Sequence, residues 1–116
     1  MRKGERLTKG SDFQGVYGSG KSIADRFLVL YVLPYQDELK LGISVSKKVS
    51  RASVGRNRLK RLARESFREI RSHVLGGYHL VVILRVAAKD IIYQQVLASM
   101  ERLIKRAGLW VDEEEG

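Results

Sequence analysis

The sequence predicts an α+β fold of order αβββαβα, a sandwich in which helices pack on one four-stranded mixed sheet. Apolar residues repeat at helical spacing in three segments, at residues 8–18, 53–74 and 90–107. Three other segments are apolar throughout or alternate between apolar and polar residues, as strands do, at 26–33, 39–45 and 78–84. The chain has 116 residues and no linker-like stretch, so we expect a single domain over residues 1–116.

The first helix is expected to depend on packing. Phe13, Val16 and Tyr17 form its apolar face, but several glycines lower its intrinsic stability. A brief strand follows at Ile23, and 26–33 is apolar on both faces, as in a strand inside a sheet. The polar residues at 36–38 predict a hairpin loop to the next strand.

The strand at 39–45 has one core face and one face of small or polar residues, Lys40, Gly42 and Ser44. The second helix is expected to start with Ser53 as its N-cap, with Ser50 as the alternative. Because this helix joins two strands, it should cross over the sheet between neighbouring strands. Its predicted core-facing stripe consists of Leu59, Leu62, Ala63, Phe67, Ile70 and Val74.

The last two elements are a buried strand at 78–84 and a third helix, with Gly108 just beyond its end in the C′ position. The predicted buried face of this helix consists of Ile92, Val96, Ser99, Met100, Leu103, Ile104 and Ala107. Residues 112–116 are acidic apart from the final glycine, and we expect them to form a disordered tail.

The composition excludes several classes of protein. There are no cysteines, which excludes disulfides, thiol catalysis and cysteine-ligated zinc. No stretch approaches the ~18 apolar residues of a membrane span, and the first residues lack the apolar run of a secretory signal. We therefore expect a soluble, cytoplasmic protein that does not bind a membrane.

The positive charge is concentrated in one segment. The formal net charge is +9, and residues 40–73 contain eleven Lys or Arg residues against two acidic residues. This segment therefore accounts for the whole net charge, and the rest of the chain is neutral. A block of one sign on a folded segment is typical of a nucleic-acid-binding surface.

The second helix contains six of these cations within thirteen residues, 56–68. Four of them are spaced one turn apart, Arg56, Lys60, Arg64 and Arg68. Like charges at this spacing destabilise a helix by roughly 0.2–0.5 kcal/mol per pair. A solvated face is the simpler interpretation of a charge run. The complete apolar stripe and Asn57 between two arginines nevertheless favour contact with a nucleic acid.

Aromatic residues form a second group. Phe13 and Tyr17 share a face of the first helix, and Phe27, Val29 and Tyr31 share a face of the adjoining strand. Ordinary core packing explains such a group, and so does a cleft in which unstacked bases lie on the rings. The spacing alone does not decide between the two.

Residues suited to catalysis are few. Neither His73 nor His79 has an evident carboxylate or nucleophile partner in the sequence, so we expect surface or core roles for both. The segment at 18–22, GSGKS, lacks the first glycine and the preceding strand of a phosphate-binding loop. No cluster of carboxylates or histidines predicts a dedicated metal site.

The chain resembles the bacterial ribonuclease P protein family over nearly its whole length. The resemblance rests first on LGISVSKK at 41–48 and RNRLKRLARESFR at 56–68, which a seven-residue loop separates. The segments SDFQGVY at 11–17 and GKS at 20–22 also match the opening helix of that family and the turn after it.

This resemblance implies a protein cofactor without catalytic side chains, because in this family the RNA partner is the catalyst. The protein would bind ribonuclease P RNA and the 5′ leader of precursor tRNA, and magnesium-dependent hydrolysis would remove the leader. The resemblance also implies a ribosomal-protein-like fold with a left-handed crossover through the basic helix. We expect the protein itself to be monomeric.

The family's binding roles fall on matching positions of this sequence. The catalytic RNA is expected to contact Lys47, Lys48, Arg51, Arg56, Asn57, Arg58, Lys60, Arg61, Arg64 and Arg68. The leader is expected to contact Phe13, Tyr17, Val29 and Tyr31 at matching positions. Ser44 and Ser46 are added to this set because of their small size, not from the resemblance, since they would not obstruct a strand lying on the same sheet. Mg²⁺ is expected to be held mainly by the RNA, with Asn57 as a candidate outer-sphere contact.

Two other functions fit the basic helix. A ribosomal or RNA-chaperone module would bind structured RNA without a role in cleavage and without preferring leader-bearing tRNA. A DNA-binding protein would place the helix in a major groove and needs base-reading side chains at the N-terminal end of that helix. Ser53, Val54 and Gly55 offer little reach there.

Overall fold

A computed structural model of the chain describes residues 5–36 and 38–112. Its elements, in chain order, are α1 (Gly10–Ser19), β1 (Lys21–Ala24), β2 (Leu28–Pro34), β3 (Leu39–Val45), α2 (Ser53–Ile70), β4 (Tyr78–Leu84) and α3 (Tyr93–Arg106). Short 3₁₀ turns follow α2 at Arg71–His73 and β4 at Val86–Ala88. The predicted α+β fold and its element order are confirmed. Of the expected acidic tail, only Asp112 belongs to the described residues.

The four strands lie in the order β1-β2-β4-β3. β2 is antiparallel to both of its neighbours, whereas β3 runs parallel to β4. Helix α2 connects β3 to β4 and therefore crosses over the sheet between neighbouring strands, as predicted. The predicted hairpin at 36–38 is wrong, because β4 lies between β2 and β3; Asp37 itself lies outside the described residues.

The chemistry of the strands explains this order. β4 is apolar on both faces and pairs with seven residues of β2 on one side and seven of β3 on the other. A strand of this kind gains most from a central position, where both faces are covered. β3 presents Lys40, Gly42 and Ser44 on one face, so it tolerates the edge of the sheet.

The main core lies between the sheet and helices α2 and α3. Phe67 of α2 and Met100 of α3 are at most 1% exposed. The predicted stripe of α2 is confirmed: Leu59, Ala63, Phe67, Ile70 and Val74 are buried and Leu62 is half-buried. Phe27 precedes β2 and also packs against this core, so the packing interpretation is correct for that ring.

Helix α1 packs on the opposite face of the sheet. There Leu7, Val16 and Val81 form a second, smaller core cluster. The molecule therefore has three layers, and α1 covers only part of its side of the sheet because it is ten residues long. The uncovered part of that face becomes available to a ligand.

The predicted start of α2 is wrong in detail. The residue in the N-cap position is Ala52, and no side chain caps the helix. Instead, the guanidinium of Arg56 donates to the carbonyl oxygens of Ser50 and Arg51, at 3.0 and 2.7 Å. The sequence pattern did not show this contact, because it comes from a side chain inside the helix that folds back on the loop.

The predicted face of α3 is correct except at its start. Ile92 precedes the helix and is 53% exposed, whereas the neighbouring Ile91 is buried. The end of the helix is as predicted, since Gly108 has a φ of 77°, in the left-handed region that favours glycine.

Asp25 joins the turn between β1 and β2 to α3. Its carboxylate accepts the backbone N–H groups of Phe27 and Leu28, both at 2.9 Å, the hydroxyl of Ser99 and the guanidinium of Arg102. Burial raises the pKa of Asp25, but the hydrogen bonds from Ser99, Leu28 and Phe27 and the charge of Arg102 outweigh that effect. The pKa of Asp25 therefore lies below its ordinary value of 3.8.

We expect Asp25→Asn to lower the free energy of unfolding at neutral pH by about 1–3 kcal/mol, because several donors lose an ionised acceptor. The folded-state pKa lies below 3.8. The stabilisation by the carboxylate is therefore fully present above pH 3.8, the ordinary pKa, and is lost as the pH falls through the lower folded-state pKa. Urea unfolding of both proteins at neutral pH and well below pH 3.8 measures both effects.

The exposed Asp90 provides the control, because Asp90→Asn should change stability by less than ~0.5 kcal/mol. The difference between wild type and Asp25→Asn should shrink at acid pH. A difference that stays constant across this pH range would contradict the assigned role of the carboxylate.

Candidate nucleic-acid interface

The buried stripe of α2 fixes which side chains the helix presents outward. Leu59, Ala63 and Phe67 are at most 1% exposed, so the helix cannot rotate about its axis without exposing core residues. The predicted RNA-binding residues of α2 fall into two groups by exposure. The exposed residues are Asn57, Arg58, Arg61 and Arg68, and the half-buried residues are Arg56, Lys60 and Arg64.

Arg56 and Arg58 also have partners within the protein. Arg56 binds the loop after β3, and Arg58 donates to the carbonyl oxygen of Ile91 at 2.8 Å, which ties α2 to the segment before α3. A guanidinium has five N–H donors, so each arginine keeps donors for a ligand. Both side chains therefore combine a structural contact with a potential binding role.

The cations of α2 have no acidic partners in the part of the chain that the structure describes. Across residues 5–36 and 38–112, no salt bridge shorter than 4.0 Å involves a cation between Arg56 and Arg68. Arg71, just beyond the helix, does form one with Glu5 at 2.8 Å. Glu65 and Glu69 of α2 offset only part of the charge of its six cations, so most of the mutual repulsion along the helix remains, as expected of a surface whose counterion is another molecule.

The α2 cations form what we call the basic surface: Arg56, Arg58, Lys60, Arg61, Arg64 and Arg68. Arg6 extends this surface, although no pattern in the sequence indicated it. The backbone of Arg6 forms an isolated parallel β-bridge with Leu41 on the edge strand β3. In this bridge the N–H of Leu7 donates to the carbonyl oxygen of Leu41 at 3.0 Å. Burial lowers the pKa of Arg64, and the positive charge of Arg6 lowers it further. Arginine stays charged at neutral pH, so two like charges lie near each other. No local pattern marks Arg6, because Arg64 is distant in sequence.

Gly42 allows the ring of Phe13 to lie directly on the sheet. A Cβ atom at position 42 would lie 2.5 Å from Cζ of Phe13 and 3.2 Å from Cβ of Leu7. Only a residue without a side chain permits so close an approach. This contact places the first half of α1 over β3.

Tyr17 lies beside Tyr31 of β2 at the other end of α1. The ring centroids are 5.1 Å apart and the rings meet edge to face, while the ring of Phe13 is 6.4 Å from that of Tyr17. Tyr17 is 39% exposed. These three rings form a connected aromatic group in which part of the surface remains open to solvent.

A half-buried row of side chains lies next to these rings. The strand register places Val29 opposite Ile83, and Ile83 opposite Ser44. Because side chains alternate along a strand, Val29 and Tyr31 lie on the same face. Five predicted leader-binding residues are therefore brought together on this face: Phe13, Tyr17, Val29, Tyr31 and Ser44. We call them, with Ile83, the aromatic cleft.

The basic surface and the aromatic cleft meet at the end of β3. Ser46, Lys47 and Lys48 follow this strand directly and are exposed, and Arg51 is exposed in the loop before α2. Arg85 follows β4, which runs parallel to β3 and ends beside it. The guanidinium of Arg85 donates to the carbonyl oxygen of Asp25 at 2.7 Å. No pattern in the sequence indicated Arg85, because only the strand pairing brings it near the end of β3.

The two histidines lie elsewhere. The ring of His73 stacks on Trp110 with 4.5 Å between centroids, and its Nδ1 lies 2.9 Å from the carbonyl oxygen of Val111. His79 is buried, and its Nε2 lies 2.8 Å from Glu38. The expectation that neither has a carboxylate partner is therefore wrong for His79, whose partner is distant in sequence. His79 has the core role that was expected.

Among the described residues, no group of three or more His, Asp or Glu side chains is placed to hold a metal ion. In the same ranges, none of the helices has the length and apolar character that crossing a membrane requires.

A helix with six cations and two acidic residues, together with an aromatic face of the sheet that is partly open to solvent, is typical of nucleic-acid-binding proteins. Similarity to known proteins identifies the family within this class. A family model described as Ribonuclease P matches residues 1–108, and the chain belongs to the ribonuclease P protein family. Proteins of this family are the protein subunit of an endoribonuclease of tRNA processing.

Individual relatives cover nearly the whole chain. The ribonuclease P protein component of Shouchella clausii is 44% identical over 109 residues, 92% of this chain and 88% of the relative. That of Clostridium novyi is 44% identical over 113 residues, 95% and 99% of the two chains.

Solved structures of RNase P proteins share the fold. The Staphylococcus aureus protein has a TM-score of 0.84 at 39% identity and covers 93% of this chain and 99% of its own. The Thermotoga maritima protein has a TM-score of 0.78 at 32% identity and covers 88% of this chain and 96% of its own. The family resemblance found in the sequence is confirmed.

We expect Gly42→Ala to destabilise the folded protein by about 1–3 kcal/mol, because the added Cβ overlaps the Phe13 ring. Equilibrium urea unfolding measures this loss. Gly76→Ala is the matched control, since no atom lies within 4 Å of a Cβ there, and it should change stability by less than ~0.5 kcal/mol. Equal stability of the two variants would show that Phe13 does not pack on position 42.

Proposed function

We propose that this chain is the RNA-binding cofactor of a ribonuclease P, and that its two surfaces bind two different RNAs. The basic surface would bind the catalytic RNA, and the aromatic cleft would bind the 5′ leader of precursor tRNA. The observation that carries this proposal is that the basic surface adjoins the aromatic cleft, which Ser44 extends to the end of β3. This role would place the protein in the cytoplasm, as a monomer bound to RNA.

The basic surface is suited to the phosphates of a folded RNA. Its proposed contacts are Lys47, Lys48, Arg51, Arg56, Asn57, Arg58, Lys60, Arg61, Arg64 and Arg68, to which the geometry adds Arg6. Phosphates would supply the countercharge that the described part of the chain does not provide. Binding would release condensed counterions from the RNA, so affinity should fall steeply with salt.

The aromatic cleft is suited to a single strand. Stacking of a base on an aromatic ring is worth about 1–3 kcal/mol and tolerates any sequence, as a leader of variable sequence requires. Tyr17 and Tyr31 offer partly open rings, and Ser44 and Ser46 are too small to obstruct the approach. Binding the leader would favour substrate over leaderless product, which is the contribution we assign to the protein.

The chemistry of cleavage would belong to the RNA and its magnesium. Mg²⁺ keeps most of its waters and prefers phosphate oxygens, and when bound it supplies an activated water for hydrolysis. Asn57 fits only an outer-sphere contact, because its exposed amide lies between two arginines. The residues of this chain would bind and orient the two RNAs.

The alternative function, a ribosomal or RNA-chaperone module without a role in cleavage, shares the basic surface. It differs at the aromatic cleft, because such a module has no reason to prefer leader-bearing tRNA. Preference for the leader is therefore the property that separates the two functions.

We expect Lys60→Ala to lower the salt dependence of binding to ribonuclease P RNA by about one phosphate contact, a change of roughly 0.7–1 in the slope of log K against log salt. Lys60 has no carboxylate partner among the described residues. The substitution therefore removes a positive charge that is available to a phosphate of the RNA. Filter binding at several salt concentrations measures the slope.

Lys105→Ala is the control, because Lys105 pairs with Glu101 at 3.1 Å on α3 and should leave the slope unchanged. An unchanged slope in Lys60→Ala would place that side chain outside the RNA interface.

We expect Tyr17→Ala to weaken binding of precursor tRNA by about tenfold, because one stacking contact of ~1–3 kcal/mol is lost. Binding of mature tRNA should not change, since it has no leader. Tyr93→Ala, at the start of α3 on the other side of the sheet, serves as the control. Equal losses for precursor and mature tRNA would assign the Tyr17 ring to packing alone.

A further inference from the structure

Tyr35 and His79 form a ring pair outside the basic surface and the aromatic cleft. The two rings are almost parallel, with an interplanar angle of 7° and centroids 3.8 Å apart. His79 is 3% exposed, whereas Tyr35 is 47% exposed, more than Tyr17 of the cleft. The tyrosine therefore covers the histidine with one face, and a large part of its ring remains open to solvent.

The pair is held rigidly from both sides. The N–H of Tyr35 donates to the carbonyl oxygen of Gly77 at 2.8 Å, and the carbonyl oxygen of Tyr35 accepts from the N–H of Glu38 at 3.3 Å. The carboxylate of Glu38 lies 2.8 Å from Nε2 of His79. Because the backbone of Tyr35 and the ring of His79 are held in this way, the stacked pair loses little conformational entropy when a second flat group stacks on it.

A cation lies beside the pair. Lys40 of β3 is the register partner of His79 in β4, and its side chain is 29% exposed. Its Nζ lies 3.9 Å from Glu38, the same carboxylate that His79 contacts. The contact with Glu38 is much longer than the 3.1 Å pair of Lys105 with Glu101, and an ammonium has three N–H donors, so Lys40 keeps donors for a phosphate. An open aromatic face with such a neighbouring ammonium is suited to a nucleotide, with the base on the ring and the phosphate near the cation.

This pair is separate from the aromatic cleft. Tyr35 follows the last residue of β2, four residues beyond Tyr31 and six beyond Val29 of the cleft. Four to six residues of strand span about 13–20 Å. Helix α1 lies across the sheet between them, with Phe13 over Gly42 and Tyr17 beside Tyr31. A base on Tyr35 would therefore occupy its own site.

We propose that Tyr35, stacked on His79, is a second platform for an unpaired base of single-stranded RNA, with Lys40 near the phosphate. The proposal rests on the proposed function in so far as the chain binds RNA, but it concerns residues that neither surface of that function includes. Because stacking tolerates any base, this platform would increase affinity for single strands without selecting a sequence.

The test compares Tyr35→Phe with Tyr35→Leu in the full chain. Phenylalanine keeps a flat ring, whereas leucine keeps an apolar contact with His79 but offers no face for a base. The probe is a single-stranded oligoadenylate of about 12 nucleotides containing 2-aminopurine. Its affinity is measured by fluorescence at several salt concentrations, in the wild-type and Tyr17→Ala backgrounds.

We expect Tyr35→Phe to bind like wild type and Tyr35→Leu to bind about tenfold more weakly in both backgrounds, with an unchanged salt slope. If Tyr35→Leu binds the probe with wild-type affinity, the proposal is overturned. The Tyr35 ring would then serve packing on His79 or contact with a protein partner. If that happens while Tyr17→Ala still weakens binding, the proposed function stands. If the wild-type chain does not bind the probe and does not bind ribonuclease P RNA, the proposed function itself fails.

Discussion

The burial of one apolar stripe of α2 against the sheet and α3 determines where the charged side chains and the strands of this molecule lie. Leu59, Ala63 and Phe67 lie against the sheet and α3 with almost no exposure, which determines the rotation of the helix. The cations must then point outward, although their mutual repulsion opposes helix formation. Apolar burial, worth ~1.5–3 kcal/mol for each large side chain, outweighs repulsion of a few tenths of a kcal/mol per pair. The protein can therefore hold a concentrated positive charge on a rigid element.

The same helix also shapes the opposite face of the sheet. Helix α2 leads the chain from β3 to β4, which pairs beside β3. The apolar strand β4 is therefore central, and β3 is an edge strand with small residues on one face. Gly42 on that face lets Phe13 approach, and Ser44 leaves the neighbouring row open. The charged surface and the aromatic cleft are consequently two results of one crossover connection, and they adjoin where β3 ends.

Local patterns in the sequence predicted much of this arrangement, and contacts between distant residues explain what they missed. Three features depend only on residues within a few turns of one another: the apolar stripe of α2, the charge of residues 40–73 and the end of α3 at Gly108. Periodicity and residue type were therefore enough to predict them. The strand order was missed because the polar residues at 36–38 resemble a hairpin loop, while the pairing of β2 with β4 depends on segments far apart. Arg6 was missed for the same reason, since only folding brings it near Arg64.

In the proposed function, the protein supplies binding and the RNA supplies catalysis. The most direct test is the rate of leader removal from a precursor tRNA at low magnesium, measured with a bacterial ribonuclease P RNA alone, with this protein alone, and with both. We predict no cleavage by the protein alone, slow cleavage by the RNA alone, and a large acceleration when the two are combined. Cleavage by the protein without RNA, or no acceleration of the RNA reaction, would contradict the claim.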